Sequence, residues 1–143
     1  MFIDASAIVA ILAREPDAAR FINAIETARA PLFTSPLAVF EASIALARIK
    51  TVDAKPHSET IMQAKKVVLA FMIANSILEI EISAAIGQRA IIAAARYGKI
   101  TGHRADLNFG DCFAYAAAQA QSLPMLFKGN DFAQTDIRDA LNL

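Results

Sequence analysis

Four acidic residues, Asp4, Glu41, Asp111 and Asp131, stand where an apolar strand or helix face should carry something greasy or should simply end. Carboxylates are hard oxygen ligands, and four of them gathered at one point would make a site for a divalent cation, the usual companion of phosphate chemistry. Each also has a plainer reading. Asp4 follows Phe2-Ile3 and precedes Ala5-Ser6, so it suits a turn or a helix cap. Asp111 falls in Asn108-Phe109-Gly110-Asp111, where Asn108 can cap a helix and a first-turn aspartate gains from the helix dipole. Asp131 closes Lys128-Gly129-Asn130-Asp131, which makes a turn by itself. Glu41 is the hardest to excuse. Leu37, Phe40, Ile44 and Ala47 are the expected buried stripe of its helix, and Glu41 lies four residues after the first and three before Ile44. It therefore points inward or nearly so, and a buried carboxylate needs a cation, a metal or a proton; a salt bridge to an arginine is the alternative.

The elements that must position these acids alternate in type. Phe2-Ile3 opens a strand that stops at Asp4, and Ser6 is the expected cap of a short helix through Leu12, which ends near Glu15-Pro16. Asp17 to Ala28 has helical spacing, and Ala30 to Thr34 reads as a second strand. Ser35-Pro36 starts a helix running to about Lys50, with serine at the cap and proline at the first helical position. Thr51 to His57 is loop-like, and Ser58 or Thr60 restarts a helix to Asn75. Ile77 to Ser83 alternates as a third strand, with Leu78, Ile80 and Ile82 on one face. Ala84 to Tyr97 is a helix ended by Gly98, Thr101 to Phe109 a polar loop, Gly110 to Ser122 a nearly all-apolar helix, and Pro124 to Phe127 a fourth strand. Strands separated by helices imply parallel pairing through right-handed crossovers, hence an α/β/α sandwich around a small sheet. Ligands of such sheets bind beyond the carboxyl ends of the strands, where Asp4 and the Asp131 turn both fall.

Composition sets the outer bounds. A chain of 143 residues, 56% hydrophobic and 20% charged, can bury a core without disulfides or structural metal and is expected to form one domain across residues 1–143. Formal net charge is zero, so it points to no partner. From Arg48 to Arg104, however, nine Lys or Arg face four acids: either solvated helix faces, or a basic rim around an acidic centre that suits a polyanion. The single cysteine, Cys112, excludes an internal disulfide and fits a reducing compartment. No basic n-region precedes the apolar start, and the longest apolar run, Val67 to Ala74, is far short of the ~20 residues of a membrane span. A soluble cytoplasmic protein is expected.

Four segments then align with one known pattern. Met1-Phe2-Ile3-Asp4-Ala5-Ser6-Ala7, Ser35-Pro36-Leu37-Ala38-Val39-Phe40-Glu41-Ala42, Leu107-Asn108-Phe109-Gly110-Asp111-Cys112-Phe113-Ala114-Tyr115-Ala116 and Leu126-Phe127-Lys128-Gly129-Asn130-Asp131-Phe132 resemble, in order and spacing, the VapC-type PIN-domain ribonuclease toxins. Any one segment is unspecific, but the four in register span essentially the whole chain. The resemblance implies a PIN-like α/β/α sandwich with a parallel sheet of four to five strands. It makes Asp4, Glu41, Asp111 and Asp131 the catalytic acids that bind Mg²⁺ or Mn²⁺, with Asp4 and Asp111 the most direct ligands and Ser6 an auxiliary hydroxyl. It further implies a homodimer, a VapB-like antitoxin partner, and an RNA substrate, tRNA or rRNA, cut to a 5′-phosphate and a 3′-hydroxyl. Two positions depart from the pattern: Ala5 replaces a frequent hydroxyl residue, and Asn130 a frequent second aspartate.

Other features carry less. His57 and His103 sit in predicted loops without a nucleophile at recognisable spacing. Cys112 reads as a small core residue, and Asp136 as a loop residue within possible reach of the cluster. Val67 to Ile73 and Ile86 to Ala95 are apolar over more than one face, as core or as partner surface. Two other functions remain open at this point. One is a phosphoacceptor or phosphatase using Asp4, although only Ala5-Ser6 stands beside it; the other is a non-catalytic interaction module whose acidic pocket binds a basic partner peptide.

Overall fold

A computed structural model describes residues 1–51 and 55–142; the rest of the predicted linker around residues 52–54 lies outside the described residues. The elements follow as β1 (Phe2–Ile3), α1 (Ala5–Leu12), α2 (Ala18–Glu26), β2 (Leu32–Thr34), α3 (Pro36–Ile49), α4 (Ser58–Ala74), β3 (Ile77–Glu79), α5 (Ala84–Tyr97), α6 (Phe109–Ala120) and β4 (Met125–Leu126). The four strands form one sheet in the order β3-β2-β1-β4, every pair parallel, with Phe2 beside Phe33 and Met125. The expected α/β/α sandwich is therefore present, with β1 and β2 at its centre.

The alternation of side chains along these short strands divides the core into two layers. Phe2 and Met125 point to one face, where Ile86, Ala90 and Ala93 of α5 and the alanine-rich α6 cover them. Ile3, Leu126, Leu32 and Ile77 point to the other, against Ile8, Phe21, Leu46 and Val68 of α1 to α4. Both faces of β1 are thus fully buried, as parallel strands require.

Three local expectations are corrected. Asp4, not Ser6, caps α1: its Oδ2 accepts the Ser6 amide. The third strand stops at Glu79 rather than Ser83, because β3 is an edge strand; the Ile80 amide makes one more bond to the Thr34 carbonyl, and Ser83 turns away to cap α5. As a result Leu78 is exposed while Ile80 is buried. The buried stripe of α3 is Ala38, Ala42, Ser43, Leu46 and Ala47, and Phe40 is 60% exposed. Small residues line that stripe because α3 packs closely between α1 and α4 and meets α6 at its amino-terminal half. Gly98 ends α5 with an ordinary negative φ; it is required instead by close approach, since a Cβ there would lie 2.3 Å from the Ala94 carbonyl oxygen.

A candidate acidic metal centre at the carboxyl end of the sheet

Asp4 follows β1 directly, and its amide donates to the Leu126 carbonyl of β4 at 2.9 Å, so the last pairing of β1 with its edge neighbour β4 fixes its backbone. Its side chain is buried, 4% exposed, and Oδ2 accepts from both the Ser6 amide (2.9 Å) and the Ser6 hydroxyl (2.5 Å). Ser6 Oγ in turn accepts the Lys128 amide at 2.9 Å, which ties the loop after β4 to the same acid. Asp111 is held as rigidly by a reciprocal capping box: its Oδ2 accepts the Asn108 amide at 2.8 Å, and its amide donates to Asn108 Oδ1 at 3.1 Å. Glu41, half-buried, comes from the second turn of α3 and packs on Gly110. An added Cβ at Gly110 would stand 1.9 Å from Glu41 Oε1, so glycine is there to admit that carboxylate.

Asp4, Ser6, Glu41 and Asp111 therefore line one cleft of about 320 Å³, together with Glu15, Asn108 and Lys128. Asp131 does not line it. It is exposed in the turn after Gly129, whose φ of +100° suits glycine, and it reaches the cleft only through its charge on Asp111.

The electrostatics are those of acids lacking a counter-ion. Burial holds the Asp4 carboxyl above its ordinary range, against the downward pull of the Ser6 hydroxyl and the Ser6 and Ala5 amides. Burial, then the charges of Asp4 and Asp111, push Glu41 up to about 7. Burial lifts Asp111 to about 6 although the Asn108 amide opposes it; Asp4, Asp131 and Asp106 add to the rise. The ion pairs among the described residues join Arg96 to Asp136, Lys99 to Asp106 and Lys128 to Glu15, and none engages Asp4, Glu41, Asp111 or Asp131. The arginine partner that would have explained Glu41 structurally is thus absent among the described residues.

A hard divalent cation fits this donor set: all-oxygen, polar, partly open, and electrostatically frustrated without positive charge. Among the described residues no three His, Cys, Asp or Glu side chains are drawn tightly enough together to form a finished metal cage. The sequence led to the expectation of a four-acid cluster; three of the acids share the cleft and one stands outside it.

The remaining candidates fall elsewhere. Asp136 pairs with Arg96 (3.4 Å) and accepts the Tyr115 hydroxyl (2.5 Å), and it lines a different depression. His103 accepts the Ala105 amide and packs edge-on to Tyr97, while His57 is exposed before α4. Cys112 is buried beneath the Leu107 carbonyl, as a core residue. None of the nine basic residues from Arg48 to Arg104 lines the acidic cleft; the cation found there is Lys128, which, with Glu15, the sequence reading did not single out. Its one visible signal was the Lys-Gly turn beside Asp131. Beyond Asn108 opens a larger apolar groove of about 790 Å³ between α5 and α6, where Ile91, Ile100 and Phe109 are exposed.

Comparisons with known proteins bear on the family and the fold. The profile of the family described as PIN domain matches residues 1–138. The chain is 45% identical over 139 residues to a VapC ribonuclease of Rhizobium meliloti strain 1021, covering 95% of this chain and 98% of that one. It is 38% identical over 138 residues to ribonuclease VapC36 of Mycobacterium tuberculosis, covering 96% and 91%. Among solved structures, the Mycobacterium tuberculosis toxin VapC20, which cleaves the sarcin-ricin loop, superposes with a TM-score of 0.74 over 95% of both chains; at 16% identity this speaks for the fold.

Proposed function

Because this chain belongs to the PIN-domain family and is related along nearly its whole length to VapC ribonucleases, we propose that it is the toxin of a VapBC-type pair, a divalent-metal-dependent endoribonuclease. The observation that carries the reading is the trio of Asp4, Glu41 and Asp111 in one cleft, with raised proton affinities and no cationic partner among the described residues. In this reading they hold Mg²⁺ or Mn²⁺, and Asp131 contributes from the outer edge.

Hydrolysis of a phosphodiester requires an attacking water, neutralisation of the phosphate, and help for the leaving oxygen. A bound divalent ion supplies charge neutralisation and a more acidic water. The chain's own residues do the positioning. Ser6 fixes the rotamer of Asp4 through two hydrogen bonds to one oxygen, and the Asn108 backbone amide holds one oxygen of Asp111 through one, so the fold itself anchors both carboxylates. Glu41 packs on Gly110 and makes no carboxylate hydrogen bond among the described residues, so within the trio it has most freedom to adjust. Cleavage is expected to leave a 5′-phosphate and a 3′-hydroxyl on RNA. The proposed assembly is a homodimer regulated by a VapB-like antitoxin; no helix among the described residues is long and apolar enough to cross a membrane.

Calorimetric titration with Mn²⁺ tests the metal site apart from activity. Wild-type protein should bind Mn²⁺, and Asp111→Asn should lose at least tenfold in affinity while keeping its circular dichroism. A wild-type protein that takes no Mn²⁺ but binds a basic peptide tightly would instead make the cleft a docking pocket.

A further inference from the structure

One cation stands at the mouth of this cleft, and its two attachments differ in kind. The Lys128 amide donates to Ser6 Oγ at 2.9 Å, and Ser6 Oγ donates to Asp4 Oδ2, so the lysine backbone is registered on the innermost acid whatever its side chain does. The ammonium itself pairs with Glu15 in the loop after α1, and both side chains are partly exposed. Such a partly exposed pair adds little to stability, too little to explain the residue, and it is exchanged readily.

The charges around it give the ammonium another use. Four carboxylates, Asp4, Glu15, Glu41 and Asp111, line the cleft, and Lys128 is its one cation among the described residues. A phosphodiester chain entering here meets repulsion from every lining charge except that one. A metal ion held by the inner acids would serve the phosphate that reacts; a neighbouring phosphate still needs positive charge. A lysine on its flexible stem supplies a point charge that can swing from a carboxylate to a phosphate. We propose that Lys128 is a positioning residue for the RNA backbone, and that Glu15 holds its ammonium until a phosphate replaces it. This rests on the ribonuclease reading above.

The proposal predicts opposite effects for the two members of one ion pair, which a structural role would not produce. A short single-stranded RNA bearing a 5′-fluorescein is titrated with full-length wild type, Lys128→Ala, Lys128→Arg and Glu15→Gln in EDTA, by anisotropy over a range of salt concentrations. Steady-state cleavage of the same RNA is then measured in Mg²⁺. Lys128→Ala should weaken binding about tenfold and lower the salt slope of log K by about 0.7, the share of one phosphate contact on a single strand. It should raise KM more than it lowers kcat. Lys128→Arg should restore both binding and slope, and Glu15→Gln should tighten binding. An unchanged salt slope in Lys128→Ala, or a Glu15→Gln protein that weakens in parallel with it, overturns the proposal. Wild-type protein that binds the RNA with the expected Lys128 dependence but never cuts it contradicts the ribonuclease reading instead.

Discussion

At the scale of single residues, the acids differ in how much the sequence could reveal about them. Glu41 was legible because an inward carboxylate on a buried helix has no cheap structural excuse; the stripe used to place it is displaced, Phe40 being exposed, but Glu41 is still half-buried without a cationic partner among the described residues. What the sequence concealed was its neighbour. Gly110 looks like a helix-start glycine, yet its missing side chain is the space that Glu41 occupies. Gly110→Ala should therefore fold, since the clash is with the mobile end of a side chain, but should displace Glu41. RNA cleavage is expected to fall at least tenfold, to the level of Glu41→Ala, with a melting temperature close to wild type; full activity in a folded Gly110→Ala protein would show that the position of Glu41 does not matter. Asp131 shows the opposite limit. Its place in the chain matched the family pattern, but whether a turn residue reaches into a cleft depends on the loop's path, which spacing alone cannot give.

At the scale of elements, the caps carry as much functional meaning as the strands. Caps were readable where serine precedes proline, as at Ser35, and where Asn108 precedes Asp111 by three residues. At α1 the choice between Asp4 and Ser6 was not readable, because both side chains can cap and only the tertiary bond from the Lys128 amide commits Ser6 to a different task. The end of β3 was missed for a related reason: period-two alternation continues to Ser83, but an edge strand persists only while its single neighbour β2 lasts. The capping box of α6 does double duty as a helix start and an acid clamp. Asn108→Ala should cost about 1 kcal/mol of stability in urea unfolding yet keep near-wild-type Mn²⁺ affinity, because the amide that clamps the Asp111 carboxylate is a backbone group. A tenfold loss of Mn²⁺ affinity in folded Asn108→Ala protein would show that the side chain, not the backbone amide, holds the acid.

At the scale of the whole molecule, alternation within strands of two or three residues sorts the core into two layers and brings three crossovers to one edge. That much followed from the order of elements, since parallel strands with intervening helices leave their carboxyl ends on a common side. The acidic cleft then couples stability to pH and metal. Glu41 sits near 7 and Asp111 near 6 in the folded protein, both above their ordinary values of 4.5 and 3.8. Protonation therefore favours the folded state: the contribution is fully present below the ordinary values and is lost as pH rises through about 6 to 7. The metal-free protein should melt at a lower temperature near pH 8 than near pH 5, Glu41→Gln should flatten that fall, and Mn²⁺ should stabilise more as pH rises because it competes with protons. A metal-free melting temperature that climbs over the same range, equally in Glu41→Gln, would contradict this coupling.

If these carboxylates make a metal-dependent ribonuclease centre, the ends of the RNA it cuts will carry the signature. Total RNA is incubated with purified wild-type protein in Mg²⁺ or in EDTA, and with folded Asp4→Asn in Mg²⁺. New 5′-phosphate ends are expected at defined positions with wild type and Mg²⁺ alone. The same ends appearing in EDTA, or at the wild-type rate with Asp4→Asn, would contradict that reading.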